Sequence, residues 1–110
     1  MQAHPDITGW GLLGGWPLFT DHALKWPPGT IKCVAVDALP AELNYVRSGH
    51  VQVLLSQDVY GYGYRAVERL VEKLHLRRDP PAVIENTELT PVTAENVEAF
   101  ARNWETWLPR

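Results

Sequence analysis

A chain of 110 residues with an apolar fraction of 45%, a charged fraction of 21% and a formal net charge of −3 has the composition of an ordinary globular domain, not of a disordered one. Its Lys and Arg residues are scattered, which leaves no basic stripe for nucleic acid and no polybasic patch for a membrane surface. The single cysteine, Cys33, cannot form an internal disulfide, and no run approaches the ~20 apolar residues of a membrane-spanning helix.

Read in chain order, the pattern alternates strand with helix. The amino terminus, MQAHPDITGW, has no basic region followed by an apolar core, so no secretory signal is expected. Ile7 to Gly15 reads as a strand ending in a Gly pair, and Pro17 suits the first turn of a short helix over PLFTDHALKW. The segment WPPG, Trp26 to Gly29, stops that helix. Ile31 to Val36 is a β-branched run short enough for a strand and apolar enough to be covered on both faces. A short helix follows Asp37, with Leu39, Leu43 and Val46 on one side, and Gly49 supplies its stop. Val51 to Ser56 is the third strand.

The longest helix is expected at about Asp58 to Leu76. Val59, Tyr62, Ala66, Val67, Leu70, Val71 and Leu74 form an apolar stripe, opposite Arg65, Glu68, Arg69, Glu72 and Lys73. RRDPP ends it, because proline lacks the backbone donor and the residue before it avoids the helical region. Ala82 to Leu89 reads as a further strand. Thr93 then caps a last helix striped by Val97, Phe100, Ala101, Trp104 and Leu108. This order predicts one α/β domain over 1–110: a three-layer parallel sheet of three to four strands, with right-handed crossovers and helices on both faces.

Two strands end in polar residues where such a sheet presents its ligand rim, Asp37 after IKCVAV and Gln57 after VQVLLS. Each also has a plain structural reading: Asp37 as a turn residue bonding its own backbone, Gln57 as a solvated strand end. Cys33 inside its apolar run reads as a small packed hydrophobe. Of the four histidines, His4, His22, His50 and His75, none has the spacing of a metal pair, and no nucleophile elbow or phosphate loop occurs. Glu85 with Glu88, and Glu95 with Glu98, read as solvated faces. Neither a catalytic set nor a cofactor site is expected.

The order GGWPLF, then VAVDALPAELNYVRSGHVQVLLSQDVYGYGYRAVERL, then PVTAENVEAF resembles the carboxy-terminal part of periplasmic sugar-binding proteins of the ribose-binding type, the receptors of ABC importers. The likeness runs from about His4 to Trp107 and implies part of a two-lobed fold that holds a sugar between its lobes. By this resemblance Asp37 accepts hydrogen bonds from sugar hydroxyls, and Gln57 contacts the sugar beside a hinge. A carboxylate accepts through two oxygens while an amide both donates and accepts, which suits a polyol. Where such receptors often carry an Asn or Asp after the first strand, this chain has Gly14, Gly15 and Trp16. Trp16 either stacks on the apolar face of a sugar ring or packs as core or as the start of a helix.

The function implied is sugar binding as the substrate-binding component of an ABC transporter, incomplete in this length of chain. An effector domain of the lac-repressor family shares the ancestral fold and is the alternative. The implied partners are a small-molecule sugar and an ABC permease, in a periplasmic or extracellular setting. The resemblance also places the helix from Asp58 against a second lobe. Without that lobe, its stripe is expected to drive homo-oligomer formation.

Overall fold

The computed structural model describes residues 4–108. The elements are β1 (Gly9–Leu12), a 3-10 turn (Trp16–Phe19), β2 (Lys32–Val36), α1 (Pro40–Arg47), β3 (Val53–Ser56), α2 (Val59–Leu74), β4 (Thr90–Val92) and α3 (Val97–Trp107). They divide between two compact units. One runs through Ser56 and resumes at Thr90; the other is Gln57–Leu89.

The first unit is built on a sheet of order β1-β2-β3-β4. β1 pairs parallel to β2, and β2 parallel to β3, with Ala35 opposite Leu12 and Leu54. The α/β sheet read from the sequence is present, but it is mixed: β4 runs antiparallel to β3, with Pro91 opposite Leu55. Pro91 is tolerated because β4 is an edge strand, where a missing N–H breaks no inner ladder.

β2 alternates rather than being covered throughout, with Cys33 and Ala35 buried while Lys32 and Val34 stay exposed. Cys33 and Ala35 join Leu54 and Val92 from the neighbouring strands in one cluster with Leu43 and Val46 of α1 and Val97 and Phe100 of α3. Both helices therefore pack on one sheet face. Arg47 clamps them together through a forked ion pair to Glu98, at 2.7 and 3.2 Å. Cys33 is inert packing, as expected, and burial pushes its thiol pKa up.

Two expected elements did not form. The helix read over PLFTDHALKW shrinks to the 3-10 turn, because Tyr45 of α1 supplies the bonds that a helix would have made. Its hydroxyl donates to the Thr20 carbonyl and accepts from the Ala23 N–H. The strand read over Ala82 to Leu89 is irregular in the second unit, and the chain pairs into the sheet only from Thr90. The last helix begins at Val97, so Thr93 lies outside it; Thr93 instead opens the preceding turn, its carbonyl accepting from Asn96 N and Val97 N.

The second unit holds α2, in which Asp58 is the N-cap and accepts the Gly61 N–H at 2.9 Å. A Cβ at Gly61 would lie 1.9 Å from Asp58 Oδ2, so this cap requires glycine there. Arg69 then ties α2 to the return segment with a fork to Glu85, at 2.7 and 3.0 Å, and a bond to Glu72 at 2.8 Å.

Candidate functional site

Asp37 ends β2 with φ of 81°. A left-handed backbone costs a non-glycine residue of order 1 kcal/mol, and Asp tolerates it better than most. Two contacts hold the residue there. Its N–H donates to the Leu55 carbonyl at 2.9 Å, and its Oδ2 accepts the Gly15 N–H at 3.3 Å. The carboxylate thus faces the corner where β1 gives way to the 3-10 turn. Behind it, the Ala38 carbonyl accepts the Trp104 indole N–H at 3.0 Å, so α3 fixes the turn that presents Asp37.

The corner is shaped by two buried glycines. A Cβ on Gly14 would fall 1.7 Å from the Trp16 ring, and one on Gly15 would fall 1.4 Å from Glu42 Oε1. Trp16 lies over Gly14 with 68% of its surface exposed. It is therefore not core; it starts the 3-10 turn with a ring face open to solvent. Asp37, Gly15 and Trp16 come together at one rim of the first unit. Gln57 opens the second unit.

Sequence reasoning missed Glu42. It is fully buried, its Oε2 accepts the Leu39 N–H at 2.6 Å, and its Oε1 lies against Gly15 without a hydrogen-bond partner. Burial pushes its pKa up to about 7; the Leu39 N–H opposes this and the charge of Asp37 adds to it. A signal was available: Glu42 is the third residue of α1 and reaches back to the N-cap, one half of a capping box, and it falls on the stripe of Leu39, Leu43 and Val46.

Two cavities hold none of the candidates. One, of about 540 Å³, lies in the second unit between Tyr62, Arg65, Arg69, Val83 and Glu85. Its guanidiniums are already committed to Asp58, Glu72 and Glu85. The other, of about 290 Å³, lies in the first unit around Val46, Gln52 and Thr93. Among the described residues there is no group of three metal-ligating side chains, and no helix long and apolar enough to cross a membrane.

The mixed open sheet, with β2 and β3 parallel and ending at the polar rim, is the fold of part of a periplasmic-binding-protein lobe. Two solved structures share it. A periplasmic ribose ABC transporter protein from Conexibacter woesei superimposes with a TM-score of 0.70 at 23% identity, over 94% of this chain and 37% of its own. GanP, a glucose-galactose binding protein from Geobacillus stearothermophilus, gives 0.66 at 20% identity, over 86% of this chain and 34% of its own. The chain thus spans about a third of the length of each. No protein-family profile and no curated protein matches the sequence.

Proposed function

We propose that the chain supplies one wall of a sugar-binding cleft, as part of the substrate-binding component of an ABC importer working outside the cytoplasmic membrane. The observation that carries this reading is Asp37, an acid held in a left-handed backbone at the carboxyl end of a parallel strand, where open α/β sheets bind ligands. In this reading Asp37 accepts sugar hydroxyls, Gly15 lets the ligand approach the backbone, and Trp16 offers a ring face for stacking. Gln57, in the second unit, is a separate candidate contact, an amide that both donates and accepts. The site binds and releases; it carries no catalytic set. The fold-sharing proteins are themselves named for ribose transport and for glucose and galactose binding.

A cleft with most of its surroundings outside this length of chain binds weakly. Calorimetry with ribose, glucose and galactose is expected to show no submicromolar affinity, and two-dimensional NMR is expected to show a dissociation constant of about 1 mM or weaker. The amides of Gly15, Trp16 and Asp37 should move. D37N keeps a residue that tolerates positive φ but removes the charge, and should weaken binding about tenfold, the loss of roughly one charge-assisted bond. Saturable shifts unaffected by D37N, or no shifts at any of these amides, would overturn the assignment.

A further inference from the structure

Glu42 is the one acidic or basic side chain buried among the described residues, and it lies at the junction of the two segments that make the rim. On one side its Oε2 accepts the Leu39 N–H at 2.6 Å, two residues beyond Asp37. On the other its Oε1 presses on Gly15, whose own N–H makes a long bond of 3.3 Å to Asp37 Oδ2. One side chain thus touches both the turn that presents Asp37 and the corner that faces it.

The surroundings of Oε1 require a proton. Oε1 and the Val36 carbonyl oxygen flank the same point, the Cβ position of Gly15, at 1.4 and 3.1 Å. With the carboxyl ionised both are acceptors only, and Oε1 has no donor among the described residues. A buried carboxylate left in that state is among the costliest groups a fold can hold. Protonated, Oε1 becomes a donor beside the Val36 carbonyl while Oε2 keeps the Leu39 N–H.

No cation supplies the missing partner instead. From β2, Asp37 adds a second negative charge, and Lys32 is exposed at the opposite end of the strand. Arg47 of α1 and Glu98 of α3 are committed to each other, with Arg102 acting on Glu98, and the Tyr45 hydroxyl is spent on Thr20 and Ala23. β1, β3 and the 3-10 turn carry no ionisable residue, and Asp21, His22 and Lys25 after that turn are exposed. Burial accordingly raises the Glu42 pKa to about 7.

On the reading of Asp37 and Gly15 as a sugar wall, on which this rests, we propose that Glu42 is a positioning residue of the rim: as the neutral acid it bonds the Val36 carbonyl through Oε1 and leaves the Gly15 N–H to Asp37, and loss of its proton weakens sugar binding. Once ionised, Oε1 draws the donor it touches, the Gly15 N–H, away from Asp37, and the acceptor offered to sugar hydroxyls moves with it. Sugar affinity is then highest where Glu42 is protonated.

Two-dimensional NMR on the full chain, from about pH 5.5 to about pH 8.5, tests the two steps separately. Without sugar, the Gly15 and Asp37 amides of the parent chain should titrate together with a midpoint of about 7, while that of Leu54 in the core stays in place. In E42Q the side-chain amide is a permanent donor where the acid carries its proton, so neither rim amide should titrate, which separates Glu42 from His22 and His50. Ribose, glucose or galactose should bind the parent chain at least about fivefold more weakly at the top of this range than at pH ~6, because only the protonated fraction is competent. E42Q should keep the parent's low-pH affinity throughout, whereas E42L, with neither donor nor acceptor, should bind weakly at every pH. Rim amides that stay in place in the parent chain, or titrate equally in E42Q, would overturn the proposal, and so would a sugar affinity independent of pH. Failure of all three sugars to bind at any pH would overturn the sugar-wall reading and the affinity step with it, and is told apart because the amides of the free chain report on Glu42 without sugar.

Discussion

At the scale of single residues, the rim is governed by two carboxyl groups in opposite situations. Asp37 accepts from Gly15 at the surface corner, whereas Glu42 is sealed beneath it with one oxygen against the Gly15 backbone. Glu42 ordinarily ionises near 4.5, and burial raises that to about 7. The sign follows directly. Below 4.5 both folded and unfolded chains hold the proton; between 4.5 and 7 only the folded chain does, so its stability falls as pH rises; above 7 the loss is complete. A shift of this size corresponds to about 3 kcal/mol. E42Q is never charged, so urea denaturation should show the variant gaining on the parent chain by up to that amount between about pH 4.5 and pH 8. A stability difference independent of pH would mean that Glu42 ionises normally. Asp37 was legible in the sequence because a polar residue closing an apolar run at a sheet rim is conspicuous. Glu42 was not, because a lone Glu early in a helix usually faces water, and only the close approach of Gly15 reveals that this one cannot.

At the scale of elements, strands and long stripes were legible while short connecting segments were not. β2, β3 and α1 follow the expected runs because each buries its apolar face in the core, and α2 keeps the helical period of its stripe although that stripe stays exposed. The residues after the 3-10 turn and those at 82–89 took their form from side chains distant in sequence. Tyr45 claims the backbone of Thr20 and Ala23, and Arg69 and Arg65 claim Glu85 and Thr87. Periodicity cannot register such bonds. The same kind of bond lets α3 position the rim, through the Trp104 indole and the Ala38 carbonyl. W104F keeps most of the ring and its edge-on contact with Trp107 while deleting the donor. It should destabilise the chain by about 1–3 kcal/mol, the cost of leaving a partly buried carbonyl unpaired. The Asp37 amide should shift in the NMR spectrum, and thermal unfolding checks the magnitude. An unchanged Asp37 amide would show that the turn holds itself.

For the whole molecule, the two units rest on different physics and should differ in stability. The first buries a contiguous core from Leu18 to Phe100 across both helices and the sheet. The second has a helix of 16 residues with two glycines and one buried position, held by exposed ion pairs. Isolated helices of about 12–15 residues are marginal in water, and each internal glycine costs about 1 kcal/mol relative to alanine. Surface ion pairs offset little of that. Native-state hydrogen exchange should therefore find the amides of β2 and β3 opening only with global unfolding, and those of α2 opening locally and much faster. Exchange of α2 as slow as that of β2 and β3 would show that the helix is stabilised within its own unit.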